Sequence, residues 1–131
     1  MKIKIAVDAT PIVSALIGGV SRSVLFNRRF EFISTEYTFE EVKKYTGIIS
    51  KKSGVSADEV RKALNFLPIR VYPKKHYKKD IQKANKIIGK IDKKDADILA
   101  LGLKEKCHIW SEDKDFRNNK EIMLIRTKDL I

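Results

Sequence analysis

Ile3-Lys4-Ile5-Ala6-Val7, followed at once by Asp8, is a short and largely apolar run that ends in an acid. The run Cys107-His108-Ile109-Trp110 has the same form near the other end of the chain, with Asp113 three residues after it. Short apolar runs of this length predict buried strands. In an open α/β sheet, ligands bind in the crevice at the carboxyl ends of the strands. We therefore expect Asp8 and Asp113 to converge at one edge of a sheet.

Outward from these two runs, further strand candidates alternate with helical segments. Strands are predicted at 30–33, 69–72 and 122–125, beside those at 3–7 and 107–110. Helices are predicted at 11–16, 20–29, 34–52, 56–67, 78–89 and 95–106. Short apolar strands separated by helices predict an α/β fold, with a mostly parallel sheet covered on both faces. The chain has 131 residues and neither a repeat nor a long linker, so one domain spanning 1–131 is expected.

The balance of charges favours a polyanionic partner. The formal net charge is +11 and the pI is about 9.8, in a chain with 43% hydrophobic and 34% charged residues. Clustered lysine and arginine bind phosphate backbones by releasing condensed counterions. A nucleic acid is the expected partner, while an anionic membrane surface and simple solubility remain open as explanations of the same charge.

Several classes of protein are excluded by composition. The single cysteine, Cys107, rules out an intramolecular disulfide framework and fits a reducing cytoplasm. With only His76 and His108 beside it, the chain lacks the ligands of a usual zinc site. The N-terminal residues lack the apolar stretch of a signal peptide, and no segment approaches the ~20 apolar residues of a membrane span. A cytoplasmic protein is expected.

Helical phase selects between two neighbouring glutamates. At about 100° per residue, Glu41 lies at the edge of the buried face that carries Val42 and Tyr45, whereas Glu40 points nearly away from it. Glu41 is therefore the better candidate for a ligand. The alternative is a solvated residue on the flank of the helix that pairs with Lys44.

An acid also lies on the apolar stripe of the helix that begins near residue 95. Asp95 shares this stripe with Ile98 and Leu99, and an ionised carboxylate on a packing face is costly unless a cation or hydrogen bonds meet it. Asp97 is less clearly placed. The alternative for both, and for Asp92, is that acids favour the start of a helix through capping and the helix dipole.

Asp8, Asp113 and Asp115 each follow a predicted strand, where turn chemistry alone also favours aspartate. The joint pattern favours a functional site over turn and capping preferences alone. It combines an Asp at two strand ends, an Asp at a helix start and a Glu at a helix edge. Four carboxylates in one pocket repel one another and recruit a cation held by oxygen, which suits Mg²⁺ or Mn²⁺. Such ions assist the in-line displacement at a phosphodiester without a nucleophilic side chain.

A basic surface is expected to hold the substrate. Its lysines surround the predicted helix at 78–89 and are Lys74, Lys75, Lys78, Lys79, Lys83, Lys86, Lys90, Lys93 and Lys94. Arg22, Arg28 and Arg29 are expected to extend it beside Asp8. The alternative is a merely solvated helix face. Tyr72, His76 and Tyr77 are candidates for stacking on unpaired bases, with packing as the alternative, and no catalytic role is expected for either histidine.

Taken in order, these elements resemble the PIN domain family. The resemblance is carried by the runs Ile5-Ala6-Val7-Asp8-Ala9-Thr10, Phe39-Glu40-Glu41-Val42-Lys43-Lys44-Tyr45, Asp95-Ala96-Asp97-Ile98-Leu99-Ala100-Leu101-Gly102 and Ile109-Trp110-Ser111-Glu112-Asp113-Lys114-Asp115-Phe116. It extends from Lys2 to the C-terminus. It implies a three-layer α/β/α fold with five strands in the order 3-2-1-4-5 and the acids at the switch between the first and fourth.

The resemblance also implies a role for each residue of the site. The acidic metal centre is expected to consist of Asp8, Glu41, Asp95 and Asp113. Thr10 and Ser111 occupy positions of small polar residues that steady the carboxylates, and Asp115 is a candidate outer ligand. Thr10 replaces the more common Asn, and Gly102 stands where Ala is usual. The pairs Glu40/Glu41 and Asp95/Asp97 leave the register open.

The function implied is that of a VapC-like or PilT N-terminus-like ribonuclease, which hydrolyses RNA with Mg²⁺ or Mn²⁺. Such a protein is either a toxin neutralised by an antitoxin protein or an RNA-processing enzyme, and family members often form homodimers. The alternative is a catalytically inactive PIN-like domain that binds RNA or a protein. A haloacid-dehalogenase-like phosphatase is disfavoured because Thr10 stands where it needs a second Asp. A receiver-like domain is disfavoured because Ala6 and Val7 offer no acidic pair.

Overall fold

Five strands form one parallel sheet in the residues that the computed structural model describes, which are 2–88, 95–117 and 119–131. The strands are β1 (Ile3–Val7), β2 (Phe30–Thr35), β3 (Ile69–Tyr72), β4 (His108–Trp110) and β5 (Leu124–Ile125). Their order in the sheet is β3-β2-β1-β4-β5, and all four pairings are parallel. The expected fold and strand order are confirmed. The order reverses between β1 and β4, where a doubly wound sheet opens its crevice.

Helices connect the strands and cover both faces of the sheet. They are α1 (Ala9–Ile17), α2 (Ser21–Leu25), α3 (Glu36–Lys43), α4 (Thr46–Ser53), α5 (Ala57–Phe66), α6 (Lys74–Tyr77), α7 (Ile81–Ile88), α8 (Asp95–Glu105) and α9 (Thr127–Leu130), with 3-10 turns at Lys78–Asp80 and Lys114–Phe116. None of the helices in the described parts of the chain is long and apolar enough to cross a bilayer.

The alternation of side chains along the strands divides the interior into two cores. Ile5 and Val7 of β1 face a core built with residues of α1 to α5, and Phe32 of β2 joins them. Ala6 and Ile33 face the opposite core, which is built mainly with residues of α7 and α8. The carboxyl-terminal halves of β1 and β2 are therefore buried on both sides, which is why β1 reads as a nearly continuous apolar run.

The prediction of one long helix from Ser34 to about Lys52 is wrong in its extent. Strand β2 continues to Thr35, whose hydroxyl oxygen accepts a hydrogen bond from the amide of Thr38 at 2.8 Å and so begins α3. The helix then ends at Lys43, and the Thr46 hydroxyl donates to the Lys43 carbonyl at 2.6 Å. A side chain that bonds to the helix backbone in this way competes with the regular ladder. Helix α4 starts anew at Thr46.

Other boundaries also differ from expectation. A helical turn, α6, precedes the helix predicted at 78–89, and a 3-10 turn separates α6 from α7. The C-terminal strand is two residues long, and α9 follows it. The end of the predicted helix at Gly89, together with Lys90, Asp92, Lys93 and Lys94, lies outside the described residues.

Helix α8 approaches the sheet closely because it carries a glycine. A Cβ atom on Gly102 would lie 2.8 Å from Cγ1 of Ile109 in β4. This distance is shorter than any ordinary carbon–carbon contact. The residues from Asp95 to Gly102 are all buried, so the start of α8 is held firmly against β1 and β2.

Candidate metal centre

Asp8 is fixed at the point where β1 ends and α1 begins. Its Oδ1 atom accepts a hydrogen bond from the amide of Ala9 at 2.8 Å and caps the helix. Its own amide donates to the carbonyl of Trp110 at 3.0 Å, which extends the pairing of β1 with β4 by one residue. The carboxylate therefore lies at the carboxyl edge of the two central strands.

Ser111 joins Asp8 to the segment that follows β4. This fully buried serine donates from Oγ to Oδ2 of Asp8 at 2.7 Å and accepts from the amide of Asp113 at 3.0 Å. Asp113 in turn accepts at Oδ1 from the amide of Asp115 at 2.9 Å and caps the 3-10 turn, which Phe116 anchors in the core. One hydroxyl thus sets the positions of two carboxylates.

Asp95 brings a third carboxylate to the same place from α8. It is the first described residue of this helix, and it is buried. Asp8, Asp95 and Asp113 each offer a carboxylate oxygen, and these oxygens all lie within 4.8 Å of one another. The acids predicted from the two strand ends and the helix start therefore meet at the switch point of the sheet.

Burial and a neighbouring acid shift the pKa of Asp8. Burial raises the pKa of Asp8 above its ordinary value, and the nearby charge of Asp113 acts in the same direction. The hydrogen bonds from Ser111 and from the amide of Ala9 oppose this rise. An ionised Asp8 is thus costly unless a cation is present, and a set of ligands made only of carboxylate oxygens fits Mg²⁺ or Mn²⁺.

Glu41 faces the same cleft from α3. Its side chain is 12% exposed, whereas that of Glu40 is 66% exposed and pairs with Lys43 outside the cleft. Oε1 of Glu41 lies 3.0 Å from Nζ of Lys44, and this hydrogen bond raises the pKa of Lys44. The geometry therefore favours Glu41 over Glu40. Glu41 is not one of the three residues whose oxygens lie within 4.8 Å of one another.

The cleft around these acids has a volume of about 390 Å³, which is large enough for more than an ion. Its walls are formed by residues at the ends of β1 and β4 and on α1, α3 and α8, namely Asp8, Ala9, Thr10, Val13, Tyr37, Thr38, Glu41, Tyr45, Asp95 and Asp113.

Comparison with known proteins places the chain in a family. The family model described as PIN domain matches residues 6–125. The chain belongs to the PIN domain family. Its members are generally nucleases and typically use divalent metals. The resemblance seen in the sequence motifs is confirmed, and the cleft with its three clustered carboxylates lies within the matched part of this PIN domain.

A solved structure shows the same fold. A chain from the crystal structure of VapBC2 from Rickettsia felis, bound to a DNA fragment from their promoter, superposes with a TM-score of 0.67. The alignment covers 95% of this PIN domain and 98% of that chain, with 10% sequence identity. No curated protein sequence matches the chain.

Within the PIN domain, Asp97 points away from the clustered acids. Its Oδ2 atom accepts a hydrogen bond of 2.5 Å from the hydroxyl of Tyr77, and both side chains are buried. Burial, and then the neighbouring Asp97, raise the pKa of Tyr77. The structure thus places Asp95 in the cleft and gives Asp97 a packing contact between α8 and α6.

The remaining polar candidates differ in their positions. Thr10 lines the cleft at the start of α1 and is exposed. Asp115 is exposed and does not line the cleft, and its predicted role as an outer ligand stays a prediction. Two cleft residues, Tyr37 and Tyr45, were missed by the sequence reasoning. Helical spacing of four residues from Glu41 is a signal that identifies Tyr37, whereas Tyr45 lies past the end of α3 and has no such signal.

The expectation that arginines lie beside Asp8 is wrong. Arg28 and Arg29 precede β2, and the carbonyl of Arg29 accepts a hydrogen bond from the amide of Ile3 at the start of β1. They therefore lie at the opposite edge of the parallel sheet. Arg22 donates to the carbonyls of Ala15 and Leu16 at the end of α1, at 3.0 and 3.3 Å, so its guanidinium closes a helix.

The aromatic residues predicted to stack on bases pack within the protein instead. The rings of Tyr72 and His76 stack on each other at 4.1 Å, and His76 also bonds to Glu105 at 3.0 Å. Tyr77 is buried. In contrast, the predicted basic residues nearest to this segment are exposed beyond the carboxyl end of β3, and they are Lys74, Lys75, Lys78 and Lys79.

Proposed function

We propose that this PIN domain is an endoribonuclease that hydrolyses phosphodiester bonds in RNA with Mg²⁺ or Mn²⁺. The observation that carries the proposal is the convergence of Asp8, Asp95 and Asp113, with oxygens within 4.8 Å, at the switch point of the sheet. These residues come from separate parts of the chain. The fold alone does not require three acids at one point, where their mutual repulsion is destabilising.

Asp8, Asp95 and Asp113 would hold the ion, and Glu41 would complete its ligand set from the wall formed by α3. A bound divalent cation supplies charge neutralisation and Lewis-acid polarisation at a phosphodiester. Ser111 keeps the Asp8 carboxylate in one orientation by its hydrogen bond to Oδ2, and the Ala9 amide holds Oδ1. The ligands are thus positioned before the substrate arrives, which lowers the cost of reorganisation during the reaction.

The substrate is held by charge beyond the cleft. Lys74, Lys75, Lys78 and Lys79 follow β3, so they lie at the same edge of the sheet as Asp8. Two strand spacings, or roughly 10 Å, separate β3 from β1 within the sheet. This distance suits a phosphate backbone that runs from the acids across the ends of the strands.

We further propose a cellular role of the kind suggested by the VapBC2 neighbour. The chain would act either as a toxin that an antitoxin protein neutralises or as an RNA-processing enzyme, as a single domain spanning 1–131 in the cytoplasm, with a homodimer as its expected assembly. The matching fold and the net charge of +11 support this extension.

Asp8→Asn tests the proposed reaction. The substitution keeps the cap on Ala9 and removes a charge from the ligand set, so cleavage of RNA in Mn²⁺ should fall to background while the circular dichroism spectrum is unchanged. Asp58→Asn is the matched control, because Asp58 is an exposed acid on α5 outside the cleft. Cleavage by Asp8→Asn at the rate of the unmodified protein would contradict the proposal.

Titration calorimetry with Mn²⁺ separates an enzyme from a domain that only binds RNA or protein. The unmodified protein and Asp58→Asn should bind Mn²⁺ with equal affinity, whereas Asp8→Asn should give no heat of binding. An unmodified protein without a heat of binding would support the inactive alternative.

A further inference from the structure

Two exposed tyrosines flank Glu41 on the wall of the acidic cleft. Tyr37 and Tyr45 both line the cleft and are 39% and 43% exposed. Tyr37 lies one helical turn before Glu41 on α3. Tyr45 lies just past the end of α3, where the chain leaves the helix, and lines the same cleft.

The break between α3 and α4 exposes Tyr45. In one continuous helix Tyr45 would lie on the buried side with Val42. Instead its amide bonds to the Val42 carbonyl at 2.9 Å, and its φ and ψ of −96° and 8° depart from the helix. The Thr46 hydroxyl completes the break at Lys43. An aromatic ring is thus presented to water at the mouth of the cleft, where it contributes little to the core.

A cation pairs with Glu41 next to the two tyrosines in the chain. Nζ of Lys44 is 3.0 Å from Oε1 of Glu41, its side chain is 70% exposed, and it interacts electrostatically with both Tyr37 and Tyr45. Sites that bind single-stranded nucleic acid combine aromatic rings, on which bases stack, with positive groups that follow the backbone. Tyr37, Tyr45 and Lys44 supply both features next to the acids.

We propose that Tyr37 and Tyr45 are stacking platforms for two unpaired bases, one on each side of the phosphate to be cleaved, and that Lys44 contacts the backbone between them. This inference rests on the proposed RNA cleavage and assigns the side chains that would hold unpaired bases of the substrate. A base within a duplex reaches such a ring only after it has been unstacked and unpaired, which costs free energy. The sequence of the strand is unimportant for the stacking, because every base has a flat face.

Fluorescence anisotropy with a labelled single-stranded oligoribonucleotide tests the proposal, with Ca²⁺ in place of Mn²⁺ and with a gel to show that the RNA stays intact. Tyr37→Ala and Tyr45→Ala should each weaken binding by about 5- to 150-fold, the range expected for the loss of one stacked base. Tyr37→Phe and Tyr45→Phe keep the ring and should bind within about twofold of the unmodified protein. The same strand in a duplex should bind more weakly, without dependence on either tyrosine.

Phe66→Ala is the matched control. Phe66 is 81% exposed, and it ends α5 just before β3 begins, at the edge of the sheet away from the acids. Its loss should leave RNA binding unchanged. Binding by Tyr37→Ala and Tyr45→Ala that equals binding by Phe66→Ala would overturn the proposal and leave the tyrosines to a protein partner. The same conclusion holds if the unmodified protein binds neither RNA.

Cleavage in Mn²⁺ separates this inference from the proposed function. If the unmodified protein cleaves single-stranded RNA and the alanine variants raise KM, both hold. If the alanine variants cleave with unchanged KM, the proposed nuclease activity is supported and the proposed stacking role of the tyrosines is wrong. If the unmodified protein leaves RNA intact but binds it with the expected dependence on the tyrosines, the nuclease is wrong and the platforms stand.

Discussion

Ser111 connects the two strand ends that carry the acids. Its hydroxyl group donates to Asp8 and accepts from the amide of Asp113, and it is shielded from water. Residues that bond to metal ligands in this way commonly determine how well the ion is held. The hydrogen bond to Asp8 also opposes the rise in pKa that burial causes, and so favours the ionised carboxylate.

Ser111→Ala should therefore weaken Mn²⁺ binding by about 10- to 100-fold, as measured by calorimetry. Ser34→Ala is the matched control. Ser34 is an equally buried serine whose hydroxyl donates to the Val7 carbonyl at 2.8 Å, one strand away from the clustered acids. It should lower stability without changing Mn²⁺ affinity. Equal affinities of the Ser111→Ala and Ser34→Ala proteins for Mn²⁺ would contradict this role of Ser111.

At the level of single residues, the sequence predicted acids better than cations or aromatics. Asp8 and Asp113 follow strands whose ends must meet in a parallel sheet, and the phase of α3 selects Glu41. Arg28 could not be placed in the same way, because residues before a strand lie at the other edge of the sheet. Tyr45 was assigned to a buried face because the apolar pattern predicted one continuous helix. In the structure α3 ends at Lys43, whose carbonyl accepts a hydrogen bond from the Thr46 hydroxyl, and no periodic pattern reveals such a bond.

Among the elements, α8 and β4 show how closely packing fits the sequence. Gly102→Ala places a Cβ atom within 2.8 Å of Cγ1 of Ile109. We expect a net loss of about 1–2 kcal/mol of unfolding free energy in urea, because overpacking outweighs the ~1 kcal/mol gain in helix propensity.

A double-mutant cycle checks the cause. In an Ile109→Ala background the space is free, so adding Gly102→Ala should raise the unfolding free energy instead of lowering it. A loss of the same size in both backgrounds would show that the contact with Ile109 is not responsible.

Glu105 ties three elements together at the other end of α8. Its carboxylate bonds to Lys4 of β1 at 2.8 Å and to His76 of α6 at 3.0 Å. The hydrogen bond from Lys4 lowers the pKa of Glu105, and the same bond raises the pKa of Lys4. Because the pKa of Glu105 is lower in the folded state than in the unfolded state, the interaction stabilises the protein above the unfolded value of 4.5 and is lost as pH falls through the folded value.

Glu105→Gln should therefore lower the unfolding free energy at pH 7 by about 0.5–1 kcal/mol, a small amount because Lys4 is partly exposed and solvent screens the pair. Urea titrations at several pH values should show this difference shrinking below about pH 4.5 and vanishing below the pKa of the folded state. Glu121→Gln, at an exposed site, should show no difference at any pH. A Glu105→Gln effect that persists unchanged in acid would be inconsistent with an ionic origin.

On the scale of the whole molecule, the net charge of +11 is distributed over both edges of the sheet. Lys74, Lys75, Lys78 and Lys79 lie beyond the carboxyl ends of the strands with the acids, and Arg28 and Arg29 lie at the opposite edge. RNA bound at the proposed metal centre would therefore lie at the edge of the sheet that carries the lysines, away from the two arginines.

Replacing the four lysines with glutamine should weaken the binding of single-stranded RNA and reduce its dependence on salt. Each lost phosphate contact lowers the slope of log K against log salt by about 0.7. Arg28→Gln with Arg29→Gln is the control and should leave the slope unchanged. If the slope of log K against log salt is smaller for the arginine variant than for the lysine variant, RNA binds at the opposite edge of the sheet and the proposed role of the lysines is wrong.

The topology was predictable because each strand is a separate apolar run and parallel connections are right-handed and local. The strand order came from the resemblance to a family, which the PIN domain match confirms. Boundaries were less accurate at β2 and β5 and between α3 and α4. There, hydrogen bonds from single side chains and contacts across the sheet, rather than the pattern of apolar residues, set where each element ends.

The pairing of β4 with β1 has a consequence for synthesis. The two strands are neighbours in the sheet, yet β4 is synthesised after β1, β2, β3 and the helices between them. Until then Asp8 has neither Ser111 nor Asp113 beside it, and the cation has no complete set of ligands. The proposed metal centre can therefore assemble only after β4 has been synthesised and has paired with β1.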